Sequence, residues 1–371
     1  MKWFGKAVRS GGRPFLFGGW RGMFASEPWP RSYEAQVREA YLGNPVAQRA
    51  VRLIAESVAW APVYEGREMT STSSGRAASL LNPTLIETVA TQLLLHGNAF
   101  VQVLQDADAR PAELFALRPE RVTIEADSAG WPAAYLYKVG EATTRLAARD
   151  GMGRPALAHV KAAHPLDDHY GLGCLGAAAA AVAVHNAAAK WNKALLDNAA
   201  RPSGALVHDP GDGAALSGEQ FARLRAEMEA QFAGADNAGR PMLLEGGLKW
   251  QAMSLTPADM DFVGLKAAAA REIALAFGVP PMLLGLPGDA TYANYREANR
   301  ALWRLTVLPM AARILGGLSG ALAAWWPGLA ILVDVDQISA LAEDRERLWR
   351  QLRGADFLTD AEKREMLGFE A

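Results

Sequence analysis

Apolar residues recur every three or four positions from Asn44 onward, and this spacing predicts the first helix of the chain. Asn44 is placed to cap it, and Pro45 fills the first helical position, where an amide has no partner to lose. Val46, Ala50, Leu53, Ile54 and Val58 then form one apolar stripe. Asn82-Pro83 repeats the device, with Leu85, Val89, Leu93 and Leu94 in register up to His96-Gly97. The period then drops to two in FVQVLQ (100–105), RVTIEA (121–126) and AYLYKV (134–139), with ALAHVKA (156–162) as a fourth candidate strand. Alternation of that kind suits a half-exposed antiparallel sheet. Residues 33–170 therefore read as one α+β unit.

A long helix is predicted next, over about 175–200, and it would span ~39 Å at 1.5 Å per residue. Its first half is nearly all alanine, which lets helices approach closely and suits packing between like neighbours better than packing on a sheet. GALVHD (204–209) predicts a strand. Ser217 and Gln220 form a capping box for a helix over 218–233, with Phe221, Leu224, Met228 and Phe232 on one face. RPMLLEGGLKWQAMS (240–254) reads as a hairpin around Gly246-Gly247. Thr256-Pro257 opens another helix, with Phe262, Leu265, Ala269, Ile273 and Phe277 in register. A small module at 201–254 is thus bracketed by two long helices.

That second helix stops abruptly in AFGVPPMLLG (276–285). Gly278 permits a left-handed termination. Pro280 pushes Val279 toward an extended conformation, and Pro281 does the same to Pro280. After a loop, LGLPGDAT (284–291), a helical pattern runs from Tyr292 to Trp326, and Pro309 inside it predicts a kink. LAILVDVD (329–336) is strand-like. ISALAEDRERLWRQLRG and the Thr359–Glu362 box predict two short closing helices.

The 371 residues are half hydrophobic and carry a formal net charge of −2, against a wholesale basic nucleic-acid binder. A single cysteine, Cys174, excludes a disulfide framework and a thiolate metal cluster. Residues 1–32 carry six basic residues against Glu27 alone, with seven aromatics, and read as an arm rather than a domain. The apolar runs 175–191 and 311–326 fall short of the ~20 strongly apolar residues that a membrane span needs.

Candidate chemistry is sparse. Gly171, Gly173 and Gly176 spell GxGxxG at a helix start, and Asp197 lies downstream. A dinucleotide site needs a buried strand ahead of that turn, whereas HPLDDH (164–169) is polar, so a tight turn is the simpler reading. His164 and His169 with two aspartates lack a metal-binding helical spacing. His96 is a C-terminal partner for its helix dipole. Trp303, Trp325, Trp326 and Trp349 suit core packing or a subunit interface. No catalytic constellation, metal site or cofactor site is expected.

The segment AREIALAFGVPPMLLG followed by GLPGDATYANYREANRALWRLTVLP resembles the tailed-phage portal proteins of the HK97-like family. HPLDDHYGLGCLGAAAAAV, LLLHGNAFVQVLQ and FLTDAEKREMLG resemble it too, so the likeness runs over about 35–369. The chain is short for that family, as a portal of a defective prophage or gene transfer agent would be. The resemblance implies an α+β portal-type fold: an N-terminal arm (1–32), an α/β wing (33–174), stem helices at 175–200 and 255–281, a small α/β clip insert (201–254), a tunnel loop (282–294), a kinked long helix and wing strand (295–336), and a short helical crown (337–371). It implies a homo-oligomeric ring of about a dozen subunits at a capsid vertex, assembled in the host bacterial cytoplasm and carried in the virion. Double-stranded DNA would pass through the ring, and the terminase large subunit, a head-tail adaptor and the major capsid protein would dock on it.

By the same resemblance, Gly285, Leu286, Pro287, Gly288, Asp289, Ala290, Thr291, Tyr292 and Asn294 would face DNA. Ala177, Ala180, Ala183, Ala187, Ala269 and Ile273 would pack the stem. Phe221, Arg225 and Met228 would sit on the partner-docking clip helix. Mixed charges near the loop (Lys266, Arg271, Glu272, Asp289) suit a conduit through which DNA slides. The competing readings are an NAD-dependent oxidoreductase using the Gly171–Gly176 turn and a membrane pore built from the two apolar runs.

Overall fold

A computed structural model describes residues 32–65, 77–197, 204–208, 217–220, 222–224, 226, 248–252, 262–287 and 291–367. Apart from Ser32, the N-terminal arm lies outside the described residues. The chain divides into two units, one of Met1–Ala179 with Glu272–Ala371 and one of Ala180–Arg271.

The first unit opens with α1 (Tyr33–Val37), capped by the Ser32 hydroxyl and continued by a π turn over Arg38–Leu42. In α2 (Pro45–Ala59) the Asn44 side chain accepts from the Val46 and Ala47 amides at 3.0 Å each. β1 (Val63–Glu65) precedes α3 (Pro83–Leu95), where Asn82 accepts from the Leu85 amide at 2.7 Å. Both Asn-Pro starts therefore work as the sequence predicts: the Asn oxygen satisfies amides that have no intrahelical partner.

The chain then runs through β2 (Asn98–Gln105), β3 (Pro111–Leu117), β4 (Val122–Ala126), β5 (Pro132–Val139), β6 (Ala142–Ala147) and β7 (Leu157–Lys161). Two antiparallel three-stranded sheets result, ordered β3-β2-β7 and β4-β5-β6. Phe100, at the middle of the first, lies opposite Leu117 on one side and His159 on the other. Phe100, Leu117, Val122, Ile124, Tyr135 and Leu157 bury one core shared by both sheets. The Tyr170 hydroxyl ties this core to the following segment by accepting from the Ile124 amide at 2.9 Å.

α4 (Leu175–Asp197) begins in the first unit and continues into the second. In the second unit β8 (Gly204–His208) pairs antiparallel with β9 (Leu248–Ala252), with Leu206 opposite Trp250. The Ser217 capping box forms: its amide donates to the Gln220 side chain at 2.9 Å, and its hydroxyl accepts from the Gln220 amide at 3.3 Å. The described strand partner of β9 is β8; residues 241–247, the other half of the predicted hairpin, lie outside the described residues. α5 (Phe262–Ala276) returns from the second unit to the first.

α6 (Tyr292–Leu302), a π turn over Trp303–Val307 and α7 (Leu308–Leu322) follow as one helical run. Where the sequence predicts a kink at Pro309, the structure has a π turn just ahead of it. Proline has no amide for the Leu305 carbonyl, and the turn before it widens so that the Leu308 amide donates to Trp303 instead. α7 lies close on β7: a Cβ at Gly317 would stand 2.7 Å from a Val160 methyl. β10 (Ile331–Val333) pairs antiparallel with β1. The buried Ser319 of α7 is satisfied there, its hydroxyl accepting from the Ile331 amide at 3.0 Å. α8 (Ala342–Arg353) and α9 (Asp360–Met366) close the chain, and α9 forms the predicted Thr359–Glu362 capping box.

Candidate functional site

The sharp end of α5 comes from a pair of backbone bonds. The Val279 amide donates to Ala274 O at 2.9 Å and the Gly278 amide to Leu275 O at 3.0 Å, with Gly278 at φ +70°. This six-to-one and five-to-two pattern satisfies carbonyls that an abrupt helix end would orphan. Ala274, Phe277 and Val279 are all buried, so the reversal is held by packing as well. A short 3-10 turn over Pro281–Leu284 ends the same way. Gly285 has φ +72°, its amide donates to Met282 O at 3.1 Å, and the Leu286 amide donates to Pro281 O at 3.3 Å. Of the expected loop residues, Gly285, Leu286 and Pro287 are described on the near side; Gly288, Asp289 and Ala290 lie outside the described residues. On the far side Thr291 caps α6 by accepting from the Asn294 amide at 3.2 Å. Tyr292 is 79% exposed, with the Arg296 guanidinium over its ring.

The far side is braced by charge. Arg300 reaches Glu343 at 2.7 Å, Asp344 at 3.7 Å and Glu297 at 3.1 Å, while Arg296 also pairs with Glu343. This ladder joins α6 to the first turn of α8. The near side is held by Thr306 of the π turn, whose hydroxyl donates to Gly278 O at 2.7 Å.

The alanine-rich helix α4 has two faces. Ala178, Ala181, Val182, His185 and Ala188 are buried within the chain. The face expected to pack the stem is the other one: Ala177, Ala180 and Ala187 are exposed and Ala183 is half-buried. Val184 and Trp191 (43% exposed) extend the exposed face at helical spacing. On α5, Ala269 and Ile273 are buried in the chain, and Val263, Leu265 and Leu275 are exposed. Within the second unit His185 on α4 lies in the field of Lys266 on α5. Burial first and that charge second hold its imidazole below its ordinary value, against a hydrogen bond to Asn186 that favours the charged form. Phe221, Arg225 and Met228 lie outside the described residues.

The model of the phage portal protein family matches residues 45–368. The chain belongs to that family. An uncharacterized protein of Rickettsia felis is 42% identical over 350 residues, covering 89% of this chain and 88% of that protein. The portal-family fold is also met in the neck of a native gene transfer agent particle computed with C12 symmetry. That chain is 45% identical, matches with a TM-score of 0.69, and 96% of each chain is covered. An HK97 family phage portal protein from Corynebacterium diphtheriae, at 17% identity, shares the fold with a TM-score of 0.58 over 83% of this chain and 97% of that one.

The portal fold also explains the glycine run. Gly171 and Gly173 lie backbone to backbone against the Leu95–Gly97 turn, and a Cβ at either would collide with main-chain atoms. The Cys174 amide donates to Leu94 O and the Ala162 amide to Gly97 O, both at 2.8 Å. The space a pyrophosphate would need is filled by chain, which removes the dinucleotide reading. Asn98, missed in the sequence, is the hub of this seam. Its Oδ1 accepts from the Gly171 amide at 2.7 Å and lies 3.1 Å from His159 Nε2, and its Nδ2 donates to Gly171 O at 3.2 Å. His96 joins through Asn98 Nδ2 at 3.1 Å and takes the edge of Tyr33. In the 164–169 turn, Asp167 accepts from the His169 and Tyr170 amides. Tyr292–Leu322 is long and apolar enough to cross a membrane by length and composition. In this portal chain its apolar side is used internally: Leu302, Val307, Ala311, Ile314, Leu318 and Leu322 are buried. Trp325 is also engaged, its indole donating to Ala109 O at 2.9 Å.

Proposed function

We propose that twelve copies of the chain close into a ring at one vertex of a phage-like particle and form the passage for double-stranded DNA during packaging and ejection. The observation that carries this is the exposed apolar face of α4, Ala177-Ala180-Val184-Ala187-Trp191, together with exposed Val263, Leu265 and Leu275 on α5. Single exposed apolar residues are ordinary, but an apolar row aligned along one face of a long helix, as on α4, marks an interface. Head-to-tail contact between unlike faces of identical subunits closes a ring when the rotation per subunit fits. The 45% identical chain in the twelvefold neck of a gene transfer agent particle supports that count and that place.

Under this reading the wing is 33–174 with the 329–336 strand, the stem α4 and α5, the clip the 201–254 insert, the tunnel loop 282–294 and the crown 337–371. The clip carries the docking surface for terminase and the head-tail adaptor, and the wing meets the major capsid protein. The ring has no chemical step of its own. A net charge of −2 spread over the chain suits sliding, because a groove rich in Lys and Arg would hold phosphates with a steep salt dependence.

Negative-stain microscopy of the purified full-length chain, alone and with its particle proteins, tests the reading. An annular particle with a central hole is the expected result. A globular monomer or dimer under both conditions refutes it.

A further inference from the structure

Buried positions on the long helical run are spaced by three or four from Val307 through Ala311, Ile314, Leu318 and Leu322, but the preceding buried residue is Leu302, five back. The π turn supplies that extra residue, with Leu305 on its exposed side. The turn takes up the fifth residue, so the buried faces of the two parts stay in line. The turn itself carries Thr306, which binds Gly278 O on the near side of the 279–291 crossing, and the part after it is fixed by the core. The part before it carries Thr291 and Tyr292 on the far side and is fixed by Arg296 and Arg300 on α8.

We infer that Thr306 and its π turn are a positioning device: they fix where the chain leaves α5 and, separately, the direction from which α6 receives it. This rests on the reading that the crossing faces the channel. The chemistry is specific. Gly278 O belongs to a left-handed residue just past the end of α5, and Thr306 is its hydrogen-bond donor. A hydroxyl donor at this position ties it to the π turn, and a methyl in its place leaves it to water. Gly278 leaves room for the clasp, since a Cβ there would stand 3.1 Å from Thr306 Oγ1.

Hydrogen exchange by mass spectrometry on the full-length chain without DNA tests the device. Thr306→Val removes the donor and keeps the shape, and Thr306→Ser keeps the donor. In the Val variant, exchange at the Val279, Gly285 and Leu286 amides should rise about fivefold, the loss of one ordinary hydrogen bond, with α7 unchanged and the Ser variant like the parent. No rise, or an equal rise through α7, overturns the clasp. Adding one alanine after Leu305 makes the step from Leu302 to Val307 six residues, which a π turn does not absorb, and should turn α6 by about 100° relative to α7 and raise exchange in α8 as its ion pairs part. Unchanged α8 protection overturns the register role. Packaging by the same variants is scored separately: altered exchange with normal packaging keeps the device and rejects the channel-facing reading.

Discussion

Asn98 and Gly171 clasp each other in both directions, the amide of Gly171 donating to the Asn98 oxygen and the Asn98 amide group donating to the carbonyl of Gly171. Asn98 is 1% exposed, so neither partner has water as a substitute. Replacing Asn98 by Ala strands two backbone groups and should cost about 2–3 kcal/mol. Gly171→Ala should be worse, because its Cβ meets backbone that cannot move aside. Urea midpoints of the two variants check both. An Asn98→Ala midpoint equal to the parent's would show that the clasp contributes nothing.

Acid should loosen the same seam. His159 stacks on Phe100 at 4.3 Å, and its folded value falls from 6.5 to about 3, through burial first and then the nearby Lys161, His169 and His96. Between those values the unfolded chain binds the proton and the folded chain does not, so stability rises with pH. It is therefore full above about pH 6.5 and declines as pH falls toward 3, by at most ~1.4 kcal/mol per unit from this group. His185 acts in the same direction. Urea unfolding at pH 7.5, 5.5 and 4.5 should trace the decline, and His159→Gln should flatten it.

The Arg300 ladder should respond to salt. Arg300 keeps only 14% of its side chain exposed among three carboxylates, whereas Glu343 is half exposed. After discounting for that exposure, Arg300→Ala should lower local stability of α8 by about 1 kcal/mol. A double-mutant cycle with Glu343→Gln should give a coupling that shrinks at 1 M salt. A coupling unchanged by salt would point to packing instead.

The two faces of α4 should behave oppositely. Ala180→Glu lies on the exposed face and should leave the circular dichroism of the chain unchanged while abolishing rings in light scattering. Ala181→Glu puts a charge among buried neighbours and should impair folding itself. Normal rings from Ala180→Glu would move the interface elsewhere.

Shortening the crossing should separate assembly from transport. Deleting 286–290 while keeping Thr291, which caps α6, should allow rings and reduce packaged or retained DNA. Full packaging by such rings would show that this segment does not act on DNA.

Much of this was legible in advance where the cause is local. The Asn-Pro starts, the Ser217 and Thr359 boxes and the Gly278 stop each depend on residues within five positions of one another. β3 and β6 escaped notice for different reasons. β6, ATTRLA, is an exposed polar edge strand with no apolar face to read. β3 begins at Pro111 and buries only Leu114 and Leu117. The role of Gly171 was hidden because its partner, Gly97, lies far back in the chain. The π turn left a signal, the five-residue step from Leu302 to Val307 just before Pro309, but proline alone suggested only a kink. The long helix over 175–197 was legible from its alanines; that Ala177, Ala180 and Ala187 are exposed emerges only when burial is known.

β8 and β9 stand side by side, so the chain leaves for residues 209–247 and comes back through adjacent strands. A segment with neighbouring ends can be lengthened, shortened or exchanged without shifting the helices that carry it. Relatives are thus free to diverge here while keeping one frame, and a foreign tip grafted between His208 and Leu248 has a ready-made base.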